Sequence, residues 1–374
     1  MKNNKSTLGL IFTSTHNEKM NKLTLEIPIG ALPFGGRYRL IDIMLSNFAN
    51  DHVNEVGVIT KNNYQIILKH LGSGKEWDLA SKKGGLSVLP PLSQNAMKDV
   101  YKGKLDAMRG VLSYIKASQA EYVILADSDV IINFVNYDAI LAKHVETGAD
   151  ITVIYHSQEV GEEDYIYSTI LEVDESGRIT DAELAINKSS ENKVSLNMYF
   201  MRRDYLVSLL TDDRNKRLSS FEKDIILKKH EQLKIYGFAY NGYARRINSV
   251  KNYFDANMEL LNKEIRETVF SPNNRKIYTK VHDEVPVKYG SSSQNANSLV
   301  ADGAIIEGIV SDSVIFRRAK IAKNAVVKNS ILMPGAIVDE GAAIEYCIVQ
   351  DGAHIQKGHQ LKGSLESPMC IMND

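Results

Sequence analysis

From Val300 to Ile355 an aliphatic residue returns about every six positions, at Val300, Ile306, Ile315, Ile321, Val327, Met333, Val338, Ile344 and Ile355, with Gly, Asn or Asp between. Few folds accept that rhythm. Each coil of a parallel β-helix has three short faces, and each face turns one aliphatic side chain inward, so the recurrence predicts a solenoid. A β-sandwich of short strands also alternates, but it calls for a period of two and hairpin turns. The period shifts by a few residues near Asp312, Met333 and Gln350.

Upstream the texture is different. Leu8–Phe12 is a continuous apolar run suited to a strand buried on both faces. Arg39–Asn50 carries Leu40, Ile43, Met44 and Phe48 near helical spacing, Val56–Thr60 reads as a second strand, and a helix through Ile66, Ile67, His70 and Leu71 can stop at Gly72. The pattern repeats: a helix over Leu105–Ser118, a strand Tyr122–Ala126, a helix through Ile140 and His144, and a strand Ile151–Tyr155. Alternation of this kind predicts a mostly parallel α/β sheet. Ser249 is placed to cap a long helix through Phe254, Met258, Leu261 and Ile265, and the Pro-, Asn-, Ser- and Gly-rich stretch Ser271–Asn297 reads as a connector. The expected division is a first domain at 1–250, a helix and connector at 251–297, and the repeats at 298–374. A chain of 374 residues is long enough for two cores.

The formal net charge of −1 provides no global field to attract nucleic acid or an anionic membrane, so neither is expected as a partner. Cys347 and Cys370 form no metal-ligand or redox motif, which fits a reducing cytoplasm. The run Leu8–Phe12 is too short for a secretory core, and no long apolar stretch follows.

One block carries a resemblance. Pro33-Phe34-Gly35-Gly36-Arg37-Tyr38-Arg39-Leu40-Ile41-Asp42, followed by Leu45-Ser46-Asn47, is similar to the segment PFGGKYRIIDFxLSN of glucose-1-phosphate adenylyltransferases. Leu71-Gly72-Ser73-Gly74, Trp77-Asp78-Leu79, Leu89-Pro90-Pro91, Tyr101-Lys102-Gly103 and Asp106-Ala107 follow in the family's order, and the repeats match its tail. The architecture this implies is α/β: a Rossmann-like, GT-A-like nucleotidyltransferase domain followed by a left-handed parallel β-helix.

Against that family the catalytic devices are missing. Catalytic members cradle ATP phosphates on a glycine-rich GGxGxRL loop, because glycine lets backbone N–H groups approach an anion closely. Here the loop is Thr13-Ser14-Thr15-His16-Asn17-Glu18-Lys19-Met20, without glycine and with an added acid that Lys19 or Lys22 offsets only in part. Ile29 stands where the family's KPA lysine faces the reacting phosphates. The GDH aspartate that holds Mg2+ corresponds to Asp127-Ser128-Asp129, and Arg246 replaces the second metal aspartate of RDVGT. Of the EKP element that contacts sugar phosphate, only Lys188 has a counterpart. Asp127 and Asp129 are metal candidates through oxygen ligation, though acid pairs also cap loops.

This pattern resembles the non-catalytic D-type subunit of the family. The resemblance implies no cofactor for this chain, Mg2+ for a catalytic GlgC-type partner, and a heterotetramer of the two. It also implies a sugar-phosphate effector such as fructose 1,6-bisphosphate, for which Arg37, Arg39, Arg317, Arg318 and Lys320 are candidates. Arginine suits phosphate because its planar fork donates paired hydrogen bonds; the alternative is that all five are solvated surface charges. Two other functions compete: an active transferase with a rebuilt Asp127/Asp129 metal site, and a stand-alone sugar-phosphate sensor. Trp77 and Gly84-Gly85-Leu86 read as core and turn, and His16, His70 and His144 receive no catalytic role.

Overall fold

The computed structural model describes residues 7–13, 20–61, 63–81, 84–91, 101–158, 168–184, 192–271 and 275–373. Its first domain is a nine-stranded mixed sheet. The strand Thr7–Phe12 lies at the centre, parallel to Glu55–Ile59 on one side and to Tyr122–Asp127 on the other. Gly85–Leu89 extends the parallel part beyond Glu55–Ile59. Asn192–Arg202 runs antiparallel to Tyr122–Asp127 and also pairs with Ile151–Gln158, so the sheet is less parallel than the sequence pattern predicts.

The first strand is apolar throughout because it separates two cores. Leu8, Leu10 and Phe12 join one hydrophobic cluster with Val123, Leu125, Tyr199 and Phe221, while Ile11 joins the other with Ile43, Phe48, Ile124 and Phe200. Gly9 is required for this packing, since a Cβ there would lie 2.7 Å from the Phe48 ring. Trp77 is core, as expected.

Two helices read as continuous are broken. The segment expected over Leu105–Ser118 is split into Lys104–Gly110 and Leu112–Ala117, at a Gly-Val pair of weak helix formers. Ser249 does cap its helix, accepting from the Asn252 N–H, but the helix ends at Glu259. The Asn262 side chain then starts a new one, Lys263–Phe270.

Beyond these helices the chain forms three parallel five-stranded ladders, the faces of a left-handed β-helix. The first rung, Lys288–Tyr289, already pairs with Ile305–Ile306, so the coil begins within the 251–297 segment read as connector. Ile306, Ile321, Val338 and Ile355 stack on one face, and Val310, Val327 and Ile344 on the next. On the third face Ile315, Leu332 and Val349 point inward, whereas the sequence period selects Met333. Met333 instead faces outward, and with Val314, Phe316, Ile331 and Ile348 it enters the core of the first domain. The two domains therefore share one continuous apolar interface. No helix among the described residues is long and apolar enough to cross a membrane.

His144 is buried at the back of the sheet, 2.9 Å from the Thr152 hydroxyl and edge-on to Tyr122 and Phe200. Burial lowers its pKa from 6.5 to about 4. A depressed histidine contributes stability that is fully present above pH 6.5 and lost as pH falls toward 4. His144→Phe should therefore remove about 2–3 kcal/mol of the acid sensitivity over that window, read as the wild-type minus variant difference in urea melts.

Candidate functional site

At the C-terminal ends of Thr7–Phe12 and Tyr122–Asp127, where the chain leaves the central strand in both directions, the sheet opens into a cleft of about 380 Å³. Ligands of open α/β sheets bind at such switch points, and the volume lies within the usual range for small molecules. Lys61, Lys102, Lys104, Lys223 and Arg246 line it, with Asp127, Asn197 and Glu222.

Each polar group is placed by a local feature. Asp127 is the last residue of its strand, and Ser128 and Asp129 form the turn into Val130–Ile132 rather than continuing an extended segment. Arg246 lies opposite Val130 in the short antiparallel pair Ala244–Arg246 with Val130–Ile132, which brings its Nε to 3.5 Å from Asp129 Oδ2. Asn197 sits at a bulge in Asn192–Arg202, with φ of 54°, and its Nδ2 donates to Asp127 Oδ2 at 3.0 Å. Glu222 opens a π-helical turn, Glu222–Leu227.

Lys104 starts the helix Lys104–Gly110. Gly103 before it lies so close to the Ser219 carbonyl that a Cβ would come within 2.3 Å, and the Leu105 N–H donates to that same carbonyl at 2.9 Å. The lysine is thereby aimed inward. Its Nζ donates to Asp127 Oδ2 at 2.8 Å and to Glu222 Oε1, beneath the rings of Phe12 and Tyr199.

One lysine serves two acids here. Burial opposes its charge, but Asp127 and Glu222 more than offset that and hold Lys104 above its ordinary value. Burial also raises Glu222, yet Lys104 outweighs it and keeps that carboxylate below its usual range. Asp127 is the acid left short: burial pushes it up to about 7, Lys104 pulls it down, and the charges of Asp129 and Glu222 push it up again.

These residues do not fit a divalent ion. Asp127 Oδ1 has no hydrogen-bond partner among the described residues, but Lys104 already holds the other oxygen of the same carboxylate. A doubly charged ion about 4 Å from that ammonium would be opposed by roughly 8 kcal/mol at an effective dielectric of 20. No group of three or more His, Cys, Asp or Glu side chains among the described residues is arranged to hold a metal. Ile29 is packed in the hydrophobic core within the turn Ile29–Ala31 and presents nothing to the cleft. Residues 14–19 of the loop without glycine, and Lys188, lie outside the described residues.

Four of the five arginine and lysine candidates converge elsewhere. Arg37, Arg39, Arg317 and Arg318 line a pocket of about 70 Å³ between the hairpin at Pro33–Arg39 and the β-helix, with His282 and Asp351. Lys320 is exposed on a flat face of the β-helix and does not line it. Arg37 lies 3.6 Å from Asp302, and Arg318 lies 3.4 Å from Glu284. The backbone N–H of Arg39 donates to Asp42 Oδ2, and its guanidinium donates to the Ala31 carbonyl. Arg317 is buried, and its Nε has no hydrogen-bond partner among the described residues. Burial and then Arg37 lower its pKa, and burial and then Arg317 lower that of His282. Phosphate-like charge would relieve both.

Sequence reasoning missed Lys104, Asn197, Glu222 and the pair Asp42–His70. A lysine one helical turn before Met108, on the buried face with Leu105, was the available signal for the first. Nothing in the order of residues places His70 Nε2 at 2.5 Å from Asp42 Oδ1.

Residues 9–263 match the nucleotidyl transferase family, and residues 282–366 match the GlmU-like C-terminal hexapeptide family. Over 98% of this chain and 96% of the relative, the sequence is 32% identical to glycogen biosynthesis protein GlgD of Bacillus subtilis. The chain belongs to the glucose-1-phosphate adenylyltransferase and GlgD family. It is also 34% identical to a GlgD of Geobacillus stearothermophilus, over 87% of this chain and 83% of that one. With a glucose-1-phosphate adenylyltransferase of Thermotoga neapolitana it shares 33% identity over 86% of this chain and 76% of the enzyme. Similarity of this degree to both kinds of relative leaves the cleft residues to distinguish them. Within a GlgD and adenylyltransferase fold, Lys104 pairs with Asp127 and Glu222, and Arg246 with Asp129, in the cleft at the strand ends.

Proposed function

We propose that this chain is a regulatory, catalytically impaired subunit of glucose-1-phosphate adenylyltransferase, the enzyme that makes ADP-glucose and diphosphate from ATP and glucose 1-phosphate. The observation that carries the reading is the Lys104–Asp127–Glu222 network. Nucleotidyl transfer requires positioned phosphates and a cation that offsets charge on the departing diphosphate. In this cleft the inner cation is consumed by protein carboxylates, so the chain retains the family's shape without its electrostatics. A partner must supply the chemistry, and a catalytic GlgC-type subunit, in a cytoplasmic heterotetramer, is the proposed one. Mixing the two chains and measuring mass in solution tests assembly: one species that contains both chains at the mass of a tetramer is expected, and two species of one chain each would refute it.

The arginine pocket is the proposed regulatory site. It accommodates one phosphate-sized group, leaving the sugar or a second phosphate of an effector such as fructose 1,6-bisphosphate toward solvent. Arg317 supplies a buried N–H without a partner among the described residues, which a phosphate oxygen would satisfy. A hydrogen bond beside this pocket ties the β-helix to the first domain. Gln350, beside Asp351, donates to the carbonyl of Lys22 at 2.7 Å, in the short helix Asn21–Thr24 that follows the loop 14–19. Arg317→Ala with Arg318→Ala should weaken the effector response of the mixed complex about 10- to 100-fold, since two charge-assisted contacts are lost. An unchanged effector titration would remove the pocket from the account.

A further inference from the structure

We propose that Lys104 is a permanent internal cation standing at the point where a divalent ion would bind in this cleft, with Arg246 in the same role toward Asp129, so that the chain excludes divalent metal by its own side chains. The inference does not depend on whether the chain regulates a partner. Asp127 and Glu222 approach from different elements, a strand end and a π-helical turn, and both reach the Lys104 ammonium. Two carboxylates around one point are the donors a hard, oxygen-seeking cation takes.

The ammonium cannot easily leave that point. Gly103 is pressed against the Ser219 carbonyl, which fixes where the lysine stem begins. The rings of Phe12 and Tyr199 lie 5.6 and 5.5 Å from Nζ and favour a cation there. Asn197 Nδ2 takes a further position on Asp127 Oδ2, the oxygen that Lys104 also holds. Asp127 Oδ1 is left without a hydrogen bond among the described residues, and a single oxygen does not make a site for an ion that takes six or more ligands. Arg246 closes the other side, with its Nε against Asp129. The network thus does two things at once: it neutralises buried acids, and it blocks the ion they would otherwise attract.

The test uses the full chain and Mn2+ alone, observed by electron paramagnetic resonance. Wild type should show no Mn2+ binding that depends on Asp127. Lys104→Ala with Arg246→Ala should bind Mn2+ at least about tenfold more tightly, and adding Asp127→Asn should abolish the gain. If the double variant does not fold, Lys104→Gln, which keeps the volume and one hydrogen bond while removing the charge, carries the same prediction. Wild-type Mn2+ binding that Asp127→Asn removes would overturn the proposal. So would a folded Lys104 variant with no gain.

Discussion

Lys104→Met costs about 3–5 kcal/mol of stability at pH 7, because it leaves the Glu222 carboxylate and the ionised fraction of Asp127 without their shared cation. Asp127 is fully buried and Glu222 is partly buried, and no other ammonium reaches either of them among the described contacts. The loss should shrink when Glu222→Gln is added, since the double variant has one fewer charge to leave unpaired. Chemical denaturation of the three proteins decides it. A single variant as stable as wild type would mean the network contributes nothing to the fold.

The pH dependence follows from the same imbalance. Asp127 titrates near 7 in the folded chain and near 3.8 when free, so the folded state binds the extra proton between those values. Its contribution is fully present below about pH 4 and is lost as pH rises through 7. His144 acts with the opposite sign over much of that window. The two effects partly cancel in the wild type and separate only in variants: Asp127→Asn steepens the loss of stability on acidification, and His144→Phe flattens it.

Asp42→Ala is the second large effect, also about 3–5 kcal/mol. Asp42 is completely buried, and three groups from different parts of the chain depend on it: the Arg39 N–H at 2.9 Å, the Thr279 hydroxyl at 2.5 Å and His70 Nε2 at 2.5 Å. It therefore holds the arginine hairpin, the helix Tyr64–Leu71 and the connector to one point beside the β-helix. Asp42→Asn keeps the size and one acceptor oxygen and should cost less, about 1–3 kcal/mol. Equal losses for the two variants would show that the charge and the second acceptor oxygen, not the size of the side chain, matter there.

Much of this fold was legible. The aliphatic rhythm after Val300 specified the β-helix, because an inward-pointing side chain must recur on each face. The run Leu8–Phe12 specified a strand buried on both sides. Met333 shows where local periodicity fails: it marks the period as well as Leu332 does, and only the presence of the first domain draws it outward. Arg246 and Asp127 were legible as departures from family motifs, and Arg317 as a member of a basic cluster. Lys104 and Glu222 were not, since they are far apart in the chain and each reads alone as a surface charge. Two buried charges meeting across a cleft leave no periodic trace.

Diphosphate release from ATP and glucose 1-phosphate with Mg2+, measured for this chain alone and after mixing with a catalytic GlgC-type subunit, is the decisive measurement. No turnover alone, with raised activity or an altered effector response in the mixture, is the predicted result. Robust turnover by this chain alone would contradict it, and would mean that Lys104 and Arg246 take part in the chemistry rather than block it.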